Sequence, residues 1–226
     1  MYLSRVDFYS GAFERLKRER GWYKATTEYA AHTLLKEMLG NDLGVWRLMP
    51  RNEKRYALVT SDDDLELRFK ERGLMLAEQG SVIDGIKGVR GRRLEPALLT
   101  KGLVVGFGAH VIPVVRHEGR EEDAFNRRRG ATRQEAYSNW IADEFRKMGG
   151  RLIGSCALDF FSAERMTRRT QQKPRRFVEF TRPVAEMFGR VEITDGKAFV
   201  DGFTRGVGRH RSFGYGMVSI SVRTGQ

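Results

Sequence analysis

RGVGRHRSFGYGMVSISV, residues 205–222, joins a cationic, backbone-permissive loop to a short alternating apolar run. Four glycines (Gly206, Gly208, Gly214, Gly216) and three arginines (Arg205, Arg209, Arg211) fall within residues 205–216. In the run that follows, Val218, Ile220 and Val222 share one face, the pattern of a terminal strand. The loop lacks the Gly-Lys-Ser/Thr ending of a phosphate-binding P-loop. It also lacks the GxGxxG order of a dinucleotide fingerprint, and it precedes a strand where that motif requires a helix. It reads either as a tight helix-to-strand connection or as a surface where glycines admit an anionic partner or the other domain while Arg205, Arg209 and Arg211 contact its charges.

Working back from this loop, residues 197–205 read as a short helix. Strand-like runs cover 176–193 and 151–161, separated by a basic loop at 165–173. Residues 134–148 form an amphipathic helix with Ala136, Tyr137, Trp140, Ile141, Glu144 and Phe145 at helical spacing and Gly149-Gly150 as its stop. A charged loop spans 116–133. Residues 103–115 (LVVGFGAHVIPVV) read as a long strand whose glycines and Pro113 suggest a bulge or an edge position. The order strand, helix, strand, strand, helix, strand is the ferredoxin-like split βαβ arrangement.

The first half repeats it more loosely. Residues 2–8 read as a strand and 10–20 as a loop or a frayed helical turn. Residues 24–39 form the best-defined helix, with Ala31, Leu34, Leu35, Met38 and Leu39 as its apolar stripe, Thr26 or Thr27 as cap and Gly40-Asn41 as stop. At 100° per residue Tyr29, His32 and Lys36 fall together on one flank of the stripe, where an ionisable trio can face a cleft. GVWRLM (44–49) and RYALVT (55–60) read as strands joined by a turn at 50–53. Residues 65–77 have mixed character. Glycines at 80, 85, 88 and 91 with Arg90, Arg92 and Arg93 read as a flexible basic linker. The expected architecture is α+β: two tandem ferredoxin-like (RRM-like) βαββαβ domains, 1–96 and 97–226.

Composition bounds the function. A chain of 226 residues with 40% hydrophobic side chains can fill one large core or two small ones. The net charge of +12 is uneven, with 18 basic against 15 acidic side chains in residues 1–100 and 23 against 14 in 101–226. Such an excess is the footprint of a polyphosphate partner. No apolar run is long enough to span a bilayer, and no lipidation or secretory signal is read at the termini, so no membrane partner is expected. A lone cysteine, Cys156, excludes an intrachain disulfide framework and suits a reducing compartment, which places the chain in a cytoplasm.

MYLSRV at the start, YAAH (29–32) on the first helix, the following GVWRL, and above all RGVGRHRSFGYGMVSI together resemble the CasE-type CRISPR RNA-processing endoribonucleases of the RAMP group, from a type I-E or a type IV system. The resemblance implies tandem ferredoxin-like domains, binding of a CRISPR repeat RNA hairpin, and one metal-independent cut at its base. It implies retention of the mature CRISPR RNA and assembly with subunits of an effector complex. By the family pattern Tyr29 and His32 are catalytic. A basic residue of the second domain's hairpin assists in related enzymes, and Lys173, Arg175 and Arg176 are the candidates here.

The residues suit that chemistry. RNA carries its own nucleophile, and a histidine with an ordinary pKa near 6.5 can take the 2′-hydroxyl proton at neutral pH. Tyr29, one turn away, can position that hydroxyl or donate to the leaving oxygen, and a lysine or arginine stabilises the charge gained by the phosphorane-like transition state. The expected products are a 5′-hydroxyl and a 2′,3′-cyclic phosphate. Lys36 reads as a solvated charge or a phosphate contact. Arg165, Arg168, Arg169 and Lys173 form an arm that can enter the groove of an A-form stem. Arg127, Arg128 and Arg129 form a further basic cluster, and His210 an RNA contact within the glycine loop. His110, His117 and His210 show no zinc-ligand spacing, so neither metal nor cofactor is expected. The rival reading is a non-catalytic RNA-binding subunit of a CRISPR effector complex. A general RNA-recognition module is disfavoured because its aromatic RNP motif is absent.

Overall fold

The computed structural model describes residues 1–49, 55–78, 85–128 and 130–221. The turn expected at 50–53, Gly80, Arg129 and Val222 lie outside the described residues. The chain divides into two compact units. Unit 1 comprises Met1–Leu94, Arg165–Thr181 and Ser212–Gly214, and unit 2 comprises Glu95–Glu164, Arg182–Arg211 and Tyr215–Gln226.

Unit 1 contains β1 (Tyr2–Phe8), α1 (Ala12–Glu19), α2 (Thr27–Leu39), β2 (Trp46–Met49), β3 (Tyr56–Ser61), α3 (Leu65–Glu78) and β4 (Ile86–Arg93). The strands lie in the order β2-β3-β1-β4, each neighbour antiparallel. Alternation along β1 turns Val6 and Phe8 inward, where they join Ala57, Val59, Ile86 and Val89 beneath the helices. α2 buries Ala30, Ala31, Leu34, Leu35 and Leu39, starts at Thr26, whose hydroxyl accepts the Tyr29 N–H at 3.4 Å, and stops at Gly40, whose positive φ of 93° suits glycine.

Three expectations for this half are corrected. The supposed loop at 10–20 holds α1, because Ala12, Phe13 and Leu16 are enough to bury one narrow stripe under otherwise charged turns. The mixed stretch at 65–77 is helical; its start is held by Asp64, whose carboxylate accepts the Glu66 and Leu67 N–H groups at 2.9 and 3.2 Å. The supposed flexible linker is, from Ile86 onward, the edge strand β4. Its glycines pass for linker residues by composition, yet Gly91 faces the Ser4 hydroxyl and the Asp64 carboxylate, leaving a Cβ only 3.4 Å from either.

Unit 2 contains β5 (Val104–Val111), β6 (Val114–His117), β7 (Arg120–Asp123), α4 (Arg133–Lys147), α5 (Gly196–Arg205) and β10 (Met217–Ser221). Two long strands, β8 (Gly150–Arg169) and β9 (Phe177–Ile193), start or finish in it. Its sheet has the order β10-β5-β9-β8. The long strand expected at 103–115 breaks at Ile112-Pro113, and the expected charged loop carries the β6–β7 hairpin, turning at Glu118 and Gly119. α4 opens with a reciprocal capping box between Thr132 and Glu135. Numbered within each unit, both sheets have the fourth strand beside the first, then the third, then the second. Both units are therefore ferredoxin-like, and the fold is α+β.

Candidate active site

The expected pair Tyr29 and His32 lies on the N-terminal turns of α2 in unit 1. The cap residue Thr26 donates its own N–H to the Thr167 hydroxyl at 3.0 Å, and Thr167 is fully buried. The helix start and the 165–181 segment of the same unit are thereby joined.

Tyr29 lies in an aromatic cluster, its ring edge-on to Trp22 at 5.5 Å and to Phe177 at 5.3 Å, with those two rings 5.9 Å apart. Arg169 places its guanidinium over Trp22 (5.3 Å) and Phe177 (5.8 Å). Arg20 lies over the other partner, Trp22, at 5.1 Å, while gripping both carboxylate oxygens of Glu37 at 2.8 Å. Burial pushes the Tyr29 phenol above its ordinary pKa, against the opposing charges of Arg169, Arg175 and Arg20, so the group remains a proton donor at neutral pH.

His32 follows one turn later. Its ring stacks on Trp46, with centroids 6.5 Å apart and planes 14° from parallel, and Trp46 is only 2% exposed. Burial, assisted by the charge of Lys36 on the next turn, lowers the imidazole pKa to about 4. The ring is then neutral at pH 7, with a lone pair able to accept a proton. Trp46 also meets the glycine-rich loop, since a Cβ on Gly214 would come within 2.9 Å of the indole.

The candidate residues of the 165–181 arm divide into two groups. Arg169 and Arg175 act electrostatically on Tyr29. Arg165 is paired with Glu179 at 3.5 Å, Arg168 lies over Phe180 at 5.9 Å, and Lys173 and Arg176 are exposed. The Arg176 backbone closes the arm through reciprocal bonds with Thr170, 2.8 Å to its N–H and 3.0 Å to its hydroxyl. Lys36, Arg127 and Arg128 are exposed, and Arg127 stands 3.7 Å from Glu122.

In the glycine-rich loop the arginines have intramolecular partners. Arg205 donates to the Asp201 carbonyl at 3.2 Å, and Arg211 donates to the Arg205 carbonyl at 3.1 Å. Arg209 and His210 both engage Glu121 of β7, at 2.5 and 2.8 Å, and Arg182 joins them at 2.9 Å. Burial pushes the Glu121 carboxyl up, but hydrogen bonds from His210, Arg182 and Arg209 outweigh it and hold the pKa at about 2. All four glycines have positive φ, and two serve close packing in unit 2: a Cβ on Gly208 would lie 2.9 Å from Trp140, and one on Gly216 would lie 2.3 Å from the Val207 carbonyl oxygen.

Sequence reasoning missed Trp22, Phe177, Trp46 and Glu121. Trp46 belongs to the GVWRL motif, a usable signal; no local spacing marks the others. Among the described residues no cluster of three or more His, Cys, Asp or Glu is suited to a metal ion, and no helix is long and apolar enough to cross a membrane.

The two ferredoxin-like units define the fold class, and comparison with known proteins makes the family specific. The family model described as CRISPR associated protein matches residues 1–221, and the chain belongs to that family. No curated protein sequence matches it. Its fold is similar to that of the CRISPR endoribonuclease Cse3 bound to a 19-nucleotide RNA, at 18% identity and TM-score 0.70 over 98% of this chain and 100% of the other. A CRISPR-associated protein from Thermus thermophilus matches at 18% identity and TM-score 0.61 over 98% and 100%. Cas6e from Escherichia coli K-12 matches at 15% identity and TM-score 0.53 over 98% and 99%. The kinship with CasE-type proteins expected from the motifs is thus seen in family and in fold.

Proposed function

We propose that the protein is a CRISPR RNA-processing endoribonuclease that cuts at the base of a repeat hairpin without a metal ion. The observation that carries this reading is the placement of Tyr29 and His32 one turn apart on α2, with Tyr29 edge-on to the Trp22 and Phe177 rings that Arg169 covers and His32 stacked on Trp46. His32 accepts the proton of the 2′-hydroxyl, whose oxygen attacks the adjacent phosphorus as the bond to the 5′-oxygen breaks. Tyr29 gives its phenolic proton to the departing 5′-oxygen and regains one, through solvent, from protonated His32, while the arginines balance the charge gained by the phosphate. A 5′-hydroxyl and a 2′,3′-cyclic phosphate result.

Of the basic residues on the arm, Arg169 is the better-supported assistant and Arg175 the next, because both act on Tyr29 whereas Arg176 and Lys173 show no such influence. The remaining arm arginines, Lys36 and the Arg127–Arg128 pair serve as phosphate contacts, and Arg205, Arg209 and Arg211 shape the loop as well as adding to its field. The similarity to Cse3 bound to RNA and to CRISPR RNA-guided surveillance complexes supports a repeat RNA hairpin as substrate, the processed RNA as a retained product, and subunits of an effector complex as partners.

His32→Ala should abolish cleavage of labelled repeat RNA while its binding persists, and wild-type cleavage should continue in EDTA. Undiminished cutting by the purified variant overturns the assignment of His32. A requirement for Mg²⁺ overturns the metal-free chemistry. Binding without scission by the wild type would make this a non-catalytic RNA-holding subunit.

A further inference from the structure

The face of the first sheet that points away from its helices has been given no role so far. Register defines it. Val6, Val89, Ala57 and Val59 point into the core, so their neighbours along each strand point out. Arg5 on β1 stands between Leu58 on β3 and Arg90 on β4, and Leu58 stands beside Arg47 on β2. One row across four strands therefore reads Arg47, Leu58, Arg5, Arg90. In the next row on the same face Leu3 is opposite Arg92.

Among the described residues, the outward positions of this sheet carry four arginines and a single carboxylate, Asp7. Asp7 is taken up by its neighbours, accepting from Arg5 at 2.6 and 2.9 Å and from Arg90 at 3.3 Å. Arg90 is nevertheless 72% exposed, and Arg92 is exposed. Tyr56 stands next to this row with the Arg5 guanidinium 4.1 Å from its ring centroid. The carboxylates of Asp63, Asp64, Glu66 and Glu71 belong instead to α3 and the turn before it. The outward face of the sheet is therefore locally cationic, with four arginines against one carboxylate.

We infer that this face binds single-stranded RNA, a partner distinct from the duplex stem of the proposed substrate. Neighbouring strands are about 4.8 Å apart and alternate residues about 7 Å apart, so the arginines form a ladder at which successive backbone phosphates can be held. The stacked Tyr56–Arg5 pair offers a flat platform that accepts any base without reading its edge. Within an A-form stem the bases are paired and stacked on one another, whereas a single strand has unstacked bases free to lie on that platform. The inference shares with the proposed function only that the partner is RNA.

The test uses the full chain and a fluorescein-labelled oligouridine, which forms no hairpin, with binding followed by anisotropy across a salt series. Each single-strand phosphate contact contributes about 0.7 to the slope of log affinity against log salt, or about fivefold in affinity near 0.1 M salt. Arg92→Ala should lose about fivefold, and the Arg90→Ala, Arg92→Ala pair about 25-fold with a slope reduced by about 1.4. Arg18→Ala, an exposed cation on α1, should change neither. Equal losses from Arg18 and Arg92 would reduce the effect to overall charge, and unchanged affinity in the pair would assign the face to some other anionic partner; either result overturns the proposal. Hairpin cleavage measured on the same variants separates the two readings: cutting by the wild type with no effect of the pair on oligouridine refutes only the surface, and oligouridine binding lost in the pair without any hairpin cutting refutes only the nuclease.

Discussion

His32 combines the chemical role proposed for it with a folding cost. Its folded pKa of about 4 lies below the ordinary 6.5, so between these values the unfolded chain binds the extra proton and the folded chain does not. Stability contributed by keeping this ring neutral is present above pH 6.5 and falls away as the pH drops toward 4. His32→Phe, which keeps an aromatic ring on Trp46, should lose less melting temperature than the wild type between pH 7 and pH 5; an equal or greater loss contradicts the buried neutral ring. The acid limb of kcat/KM should likewise lie near pH 4 to 5 in the free enzyme, and a limb at 6.5 would mean the imidazole is solvated. The helical flank shared by Tyr29 and His32 was legible from spacing alone. Their surroundings were not, because Phe177 meets Tyr29, and Arg169 the Trp22 ring, across long sequence separations; the Thr26–Thr167 bond spans 141 residues.

The glycine-rich loop shows how an element's composition can be read correctly and its purpose only in part. Its glycines were legible as positions of close approach, and two of them approach tryptophans. At Gly214 an added Cβ faces both a positive φ of 89° and an indole 2.9 Å away, whereas at Gly119 in the β6–β7 turn it faces a positive φ of 80° and open space. Gly119→Ala should cost about 1 kcal/mol and Gly214→Ala about 2 to 4 kcal/mol, measured by urea denaturation; equal costs would mean that the loop yields freely beside Trp46. Glu121→Gln removes the charge that gathers Arg182, Arg209 and His210, and should cost about 2 kcal/mol at pH 7. A loss below a few tenths would mean that the anchor is solvent-screened. Neither β7 nor its hairpin was legible, because a strand made of Arg, Glu, Glu and Asp carries no apolar alternation.

At the scale of the whole molecule, the repeated order of elements was enough to read two ferredoxin-like units, since hydrophobic period and turn chemistry agree along most of the chain. Which segments complete each unit was not legible, because no local pattern states that residues 165–181 and 212–214 belong with the first ninety-four. A chain ended at Leu94 would lack Thr167, Phe177 and Gly214, the partners of Thr26, Tyr29 and Trp46. Such a fragment should bind a hydrophobic dye and melt without a cooperative transition, whereas the intact chain should do neither. A sharp melt from the fragment would show that those later segments are dispensable. The same dependence bears on heredity: the gene cannot trade its first half for that of a distant relative by a single crossover at the domain junction, since the late segments that complete that half would stay behind with the old partner.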